Sequence, residues 1–296
     1  MDNLQYILGK SRHLFLFVYI CVVIHNFIIV NIMKITIIGT GNIGSSIARG
    51  LSQGSYFNAS DITCTDVFEA SLERIKAFNP ELNVSQDNPA AVKDADVVVI
   101  AVKPWRVEST LNEIASSLDF SKQILVSIAA NVSFEQLLSF IPKKFKTVHP
   151  TIFRVMPNTA ISVLSSMTFV ASHNATHEQK DLILNIFKDL GHAMLIEERL
   201  MGAATALASS GIAYAMRYIR ASMEGGVELG FYPQEAREIV LQTVKGAVDL
   251  LEANQTNPEI EIDKVTTPGG ITIRGLNEME MAGFTSAVVR GLKASL

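Results

Sequence analysis

Cysteine is scarce in this chain of 296 residues: only Cys21 and Cys64 are present. Two thiols cannot build a disulfide framework or a zinc-finger cluster. An excess of positive charge is also missing. Lys and Arg number 25 against 29 Asp and Glu, a net charge of −4, and no long basic run occurs. Nucleic acid is therefore not an expected partner, since phosphate binding needs a concentrated basic surface. Of the six histidines only His173 and His177 stand four apart, without the glutamate of a His-Glu-x-x-His site. Thr176 reads as a helix cap between them, so they do not share a helical face and no metal site is expected. Charged residues make up only 18% and hydrophobic residues 48%, which excludes a disordered chain. The length suffices for about two domains with a large core.

Residues 1–32 obey different physics. Lys10 and Arg12 precede an apolar run over 14–24 and a second over 27–30. A basic start before an apolar run can mark a signal peptide or an anchor. Here His25, Asn26 and Asn31 interrupt the run, and no small-residue cleavage site follows. Met33 is followed at once by Lys34-Ile35-Thr36-Ile37-Ile38-Gly39, which reads as a buried first strand with no linker before it. The expectation is that Met33 is the true start and 1–32 is upstream sequence; an N-terminal anchor is the alternative. A membrane is not otherwise an expected partner.

From residue 33 onward, β-branched runs at 35–38, 62–67, 97–102 and 124–128 alternate with helical stretches at 43–52, 70–78 and 107–118. Such alternation predicts an α/β fold with a doubly wound, Rossmann-type parallel sheet. The unbroken apolar run at 97–102 suits a strand buried on both faces. Ser133-Phe134-Glu135-Gln136 and Thr176-His177-Glu178-Gln179 are capping boxes that open further helices. Segments 148–155 and 163–171 read as extended. After about 195 strands give way to helices: 203–223, a helix from Pro233 to about 253, and a last one over 278–295. The predicted domains are 33–193, dinucleotide-binding, and 194–296, helical. The helix over 203–223 is apolar nearly all round and carries many small residues, so it must be buried. A helical domain this small cannot cover so many apolar faces alone. The expected partner is a second copy of the chain, at least a dimer, although a self-contained bundle is the other reading.

Gly39-Thr40-Gly41-Asn42-Ile43-Gly44 is a G-x-G-x-x-G motif between a predicted strand and a predicted helix, the setting in which it signals a dinucleotide. Gly39 permits the tight turn, Gly41 the approach of a pyrophosphate, and Gly44 the packing of helix on strand. Asp66 lies 22 positions after Gly44, where a carboxylate accepts the adenosine ribose hydroxyls and favours NADH over NADPH; a solvated turn aspartate is the alternative. Ala101-Val102-Lys103-Pro104 ends a buried strand at the edge where ligands bind, so Lys103 lines the cofactor cleft or is a surface lysine beside a turn. Arg154-Val155-Met156-Pro157-Asn158-Thr159 reads as a loop that walls the cleft, or as an ordinary loop. Thr266-Thr267-Pro268-Gly269-Gly270-Ile271-Thr272 combines a turn with adjustable hydroxyls; its free N–H groups suit a substrate carboxylate, against a plain interhelical loop. Lys245 reads as a solvated helix lysine, with a hydroxyacid-dehydrogenase lysine as the competing reading. Ser209 and Ser210 lack a His/Asp set for hydrolysis, and Cys64 falls in a predicted strand and reads as core.

Together, Gly39–Gly44, Ala101–Pro104, Arg154–Thr159 and the run Lys264-Val265-Thr266-Thr267-Pro268-Gly269-Gly270-Ile271-Thr272-Ile273-Arg274-Gly275-Leu276 resemble the pyrroline-5-carboxylate reductases, over residues 33 to about 295. The resemblance implies a Rossmann domain followed by an all-helical dimerisation domain, a homodimer in the cytoplasm, and NADP or NAD as reduced cofactor. It implies hydride transfer to the C=N carbon of 1-pyrroline-5-carboxylate, giving L-proline in the last step of proline biosynthesis. By the same resemblance Gly39, Thr40, Gly41, Asn42 and Ile43 hold the pyrophosphate. Asn88, in a loop before the strand at 97, contacts the adenosine ribose. Ala101, Lys103 and Pro104 border the nicotinamide half, and Met156, Pro157 and Asn158 flank ring and substrate. Thr267, Gly269 and Gly270 bind substrate, with Thr272 nearest a catalytic role. Departures are Ala160 for proline, Ser209 for glycine, Ile212 for proline, and Arg220 where an acid is common. Competing functions are a hydroxyacid dehydrogenase that uses Lys245 and a cofactor-binding sensor without turnover.

Overall fold

The computed structural model describes residues 33–142, 145 and 149–296. The expectations for residues 1–32 lie outside the described residues. The chain divides into two units between Met201 and Gly202.

In the first unit an eight-stranded sheet has the order β3-β2-β1-β4-β5-β6-β7-β8. The strands are β1 (Ile35–Ile38), β2 (Ile62–Thr65), β3 (Asn83–Ser85), β4 (Val97–Ile100), β5 (Ile124–Ser127), β6 (Thr151–Met156), β7 (Ser166–His173) and β8 (Gly191–Leu195). Pairing is parallel from β3 through β6, turns antiparallel between β6 and β7, and is parallel again between β7 and β8. The doubly wound expectation therefore holds. Strand order reverses between β1 and β4, and at such a switch point an open α/β sheet binds its ligands.

The unit's helices are α1 (Asn42–Leu51), α2 (Glu69–Phe78), α3 (Asn88–Val92), α4 (Val107–Ile114), α5 (Phe134–Phe140) and α6 (His177–Lys188). Ser133 and Thr176 form the expected capping boxes of α5 and α6. Side chains alternate across the central strands. Ile35, Ile37, Ile62, Cys64, Val97 and Val99 face one way, into a core completed by Ile47 and Leu51 of α1, Ile75 of α2 and Phe187 of α6. On the opposite face the Thr36 hydroxyl donates to the Ala91 carbonyl of α3 (2.7 Å). The division expected at 193–194 falls inside β8.

The second unit is helical, as expected: it starts inside α7 (Met201–Ala204), whose first residue belongs to the first unit, and continues with a π-helical stretch (Thr205–Ser210), α8 (Gly211–Glu228), α9 (Pro233–Asn254), α10 (Pro258–Val265), α11 (Ile271–Met281) and α12 (Phe284–Ala294). The expected last helix over 278–295 is in fact two, because Gly283 interrupts it. Of residues 202–296 only Ala206 and Ala236 are buried, while Leu229, Tyr232, Met281 and other large apolar side chains are exposed. Tyr214 fixes α8 to α12 by donating to the Gly291 carbonyl (3.1 Å). Among the described residues no helix is long and apolar enough to cross a membrane.

Candidate active site

The carboxyl ends of β1, β2, β4 and β6 share one edge of the sheet, and the loops that follow them carry most of the predicted residues. After β1, Gly39 adopts φ +95°, a left-handed conformation open to glycine, and a Cβ there would stand 2.8 Å from the Ala101 carbonyl oxygen. Gly44 lies so close to Gly39 that a Cβ would strike its carbonyl oxygen. These two positions let α1 start hard against β1. Gly41 is the N-cap of α1 and supplies no side-chain cap, so the first N–H groups of the helix have no intrahelical partner. A Cβ on Gly41 would meet nothing within 4 Å. The loop thus presents an open cradle of N–H donors at the positive end of a helix dipole, a fit for a pyrophosphate.

Asp66 follows β2 and reaches back to this loop. Its Oδ2 accepts from the Thr40 N–H (2.8 Å) and the Thr40 hydroxyl (3.0 Å), and its Oδ1 accepts from the Phe68 N–H (3.0 Å). The carboxylate is therefore neither free nor a merely solvated turn residue; it ties two loops of the edge together. Asn88, expected in a loop, is instead the first residue of α3. Its Oδ1 accepts from the Thr65 hydroxyl at the end of β2 (2.6 Å), and its Nδ2 donates to both Glu113 carboxylate oxygens (3.2 Å each).

After β4 the Ala101 N–H still bonds the Ile38 carbonyl (2.8 Å), which holds the two loops at the switch point side by side. Lys103 is the exposed N-cap of a short 3-10 turn, Pro104–Arg106. The segment from Arg154 is a loop only from Pro157 on. Arg154, Val155 and Met156 are the end of β6, and the buried Arg154 guanidinium donates to Glu198 Oε1 (2.7 Å). Asn158 is nearly buried, and its Oδ1 accepts from the N–H of Ala160 (3.1 Å). A proline at 160 could not donate that bond.

Thr267, Gly269, Gly270 and Thr272 belong to the helical unit. The Gly270 N–H donates to the Thr267 carbonyl (2.9 Å), closing a turn with Pro268 second and Gly269, at φ +71°, third. That is the chemistry of a type II turn. Gly270 is then the N-cap of α11 and provides no side-chain cap. Unpaired N–H groups and the Thr272 hydroxyl therefore lie together in the first turn of α11, suited to a small carboxylate. Thr267, Gly269 and Thr272 are exposed.

Other candidates resolve simply. Lys245 is exposed and pairs with Asp249 one turn on (2.6 Å), as a solvated helix lysine does. Arg220 pairs with Glu224 on its own helix (2.8 Å). Ser209 lies in the π-helical stretch and Ile212 just beyond it. Cys64 is core, and burial pushes its thiol up to about 12.

Comparison with known proteins agrees with this architecture. Residues 198–296 match the family model for pyrroline-5-carboxylate reductase dimerisation, and 34–131 match that for NADP oxidoreductase, coenzyme F420-dependent. Pyrroline-5-carboxylate reductase 2 of Dictyostelium discoideum is 35% identical over 90% of this chain and 91% of its own length. The chain belongs to the pyrroline-5-carboxylate reductase family. Pyrroline-5-carboxylate reductase 1 of the same organism is 37% identical over 88% of this chain, which spans 48% of that longer relative. A crystal structure of Plasmodium falciparum pyrroline carboxylate reductase with NADP bound is 27% identical, with a TM-score of 0.79, over 89% of this chain and 95% of that one. The family's reductases are NAD(P)-dependent oxidoreductases, and the G-x-G-x-x-G cradle is the part of this chain that fits such a cofactor.

Proposed function

We propose that the protein reduces 1-pyrroline-5-carboxylate to L-proline, the last step of proline biosynthesis, as a homodimer or larger assembly in the cytoplasm. The observation that carries this reading is the presence in one family member of two complementary anion cradles. One is the Gly39–Gly44 loop at the switch point of the sheet. The other is the Thr267–Gly270 turn that opens α11.

The reduced nicotinamide supplies the hydride. The chain's residues bind and orient. Backbone N–H groups of the first turn of α1, with Gly41 giving access, hold the pyrophosphate. Asp66 and Asn88 stand at the end of β2, where an adenosine ribose belongs, while Ala101, Lys103, Pro104 and Asn158 line the nicotinamide side. N–H groups at the start of α11 take the substrate carboxylate with Thr267, Gly269 and Gly270. The Thr272 hydroxyl hydrogen-bonds the ring nitrogen and steers its protonation, which leaves the C=N carbon electrophilic. Orientation of two reactants alone can lower a barrier by several kcal/mol, up to about 7–11 in ideal cases, so no nucleophile or general-base cluster is required. Dimerisation is supported by the helical unit, whose exposed apolar side chains need a covering surface.

The test is the loss of dihydronicotinamide absorbance with pyrroline-5-carboxylate, run beside short 3-hydroxy acids with the oxidised cofactor. Turnover of the imine alone is expected. Activity on the hydroxy acids instead, or cofactor binding with no turnover of either, would overturn the reading.

A further inference from the structure

Two hydroxyls are buried near the start of β7. Ser166 is 2% exposed and Thr168 0%, and alternation along the strand puts them on the same face as the core residue Val170. A hydroxyl in such a place costs free energy unless it is hydrogen-bonded. Both are. Ser166 Oγ and Thr168 Oγ1 are bonded to each other (3.0 Å), and Ser166 Oγ also accepts from the buried Asn158 N–H (3.2 Å). Because β7 runs antiparallel to β6, its first residue returns to the edge of the sheet at which β6 ends. The hydroxyl pair therefore backs the loop that carries Pro157 and Asn158.

Asn158 is held a second time. Its Oδ1 accepts from the N–H of Ala160, in the 3-10 turn Thr159–Val163. Backbone and side chain of this one residue are thus tied separately, the first to a strand and the second to a turn. The turn ends in Leu164 at φ +56°, a left-handed conformation that leucine disfavours. Strain of this kind persists where the surroundings over-determine the backbone, and it clusters at functional sites. We propose that Ser166, backed by Thr168, is a positioning residue for the hydride transfer. Its hydroxyl fixes the Asn158 backbone, and with it the wall against which nicotinamide and imine meet. Ser166 is itself too deeply buried to touch either. The inference rests on the reading of the reaction given above.

Ser166→Ala in the full-length protein tests it, because the buried Asn158 N–H loses that acceptor and the loop must shift to find another. A small misplacement of reacting groups can cost up to about 10²-fold in rate. With pyrroline-5-carboxylate, kcat should fall about tenfold, while the affinity for reduced cofactor, by fluorescence titration, changes less than about twofold. With deuterium at the transferred C4 position of the cofactor, the isotope effect on kcat should grow, since hydride transfer becomes slower relative to product release. Ser166→Cys, close in volume and a weaker acceptor, should fall between and keeps the test open if the alanine variant does not fold. If Ser166 acts through Asn158, then Ser166→Ala should slow Asn158→Ala little further. Urea midpoints are read on every variant. A loss of stability with kcat and isotope effect unchanged would overturn the proposal and leave a hydroxyl that merely supports the fold. So would equal losses of kcat and of cofactor affinity, or rate effects that simply multiply in the double variant. An unaltered protein that binds cofactor but never reduces the imine would instead overturn the reading of the reaction, and the inference with it.

Discussion

Thr272 offers the one side-chain hydroxyl in the first turn of α11, after a turn whose geometry depends on Gly269 at φ +71°. Removal of one positioned donor to a charged group costs about 1.5–3 kcal/mol, so Thr272→Ala should lower turnover by about one to two orders of magnitude. Steady-state kinetics with pyrroline-5-carboxylate check this, and unchanged kinetics would remove Thr272 from the mechanism. Cys64 offers a second test at this scale. Burial holds its proton up to about 12, so the folded chain stays a neutral thiol there while the unfolded chain ionises in the ordinary thiol range. The unfolded state then binds fewer protons, and stability falls as pH rises through the interval between the two values. Cys64→Ala should lose that part of the alkaline decline, as read from urea midpoints at neutral and alkaline pH. An identical pH slope in both proteins would contradict it. Alkylation at Cys64 should likewise be slow until the chain is unfolded.

Among the elements, β6 depends on a charge partner far along the chain. Glu198 Oε1 accepts from the Arg154 guanidinium and from the Phe134 N–H at the start of α5, each at 2.7 Å. Arg154 is 8% exposed, and without its partner the charge would be stranded. Glu198→Ala should cost about 2–3 kcal/mol in chemical denaturation, below the full value for a buried pair because the glutamate is partly solvated. Glu198→Gln, which can still accept from both donors, should cost less. A change in neither variant would show that the pair does not hold β6. This link was invisible in the sequence, where Arg154 stood both at the end of the segment 148–155, read as extended, and at the start of a candidate loop. Legibility followed burial. Val97–Ile100 could be read directly because a strand covered on both faces is apolar throughout. The edge strands β3 (Asn83–Ser85) and β8 (Gly191–Leu195) could not, since they sit at the ends of the sheet and carry few β-branched residues. The residues 278–295 kept an apolar period across Gly283, which hid the break between α11 and α12. In the candidate site the glycine motif was legible because its spacing is its chemistry. The lock of Asp66 on Thr40 was not, because it joins residues on consecutive βα units that only the parallel crossover brings together.

For the molecule as a whole, the helical unit is the decisive feature. Nearly all of its large side chains remain in contact with solvent in a single copy: Leu229 is 83% exposed, Ile271 82% and Tyr232 77%. At about 25 cal/mol per Å² of apolar surface, a covering partner supplies much of the stabilisation such helices lack alone. Sedimentation equilibrium should therefore find a dimer or larger species, and the melting temperature should rise with protein concentration. A monomer that melts at the same temperature at every concentration would refute the assembly. The same bareness has a cellular consequence. On the proposed assembly, a newly made chain that has not yet met a second copy displays that apolar surface to proteases and chaperones. Surviving enzyme should then climb more steeply than synthesis when chains are scarce, and a defective copy able to pair would draw sound copies into dead complexes.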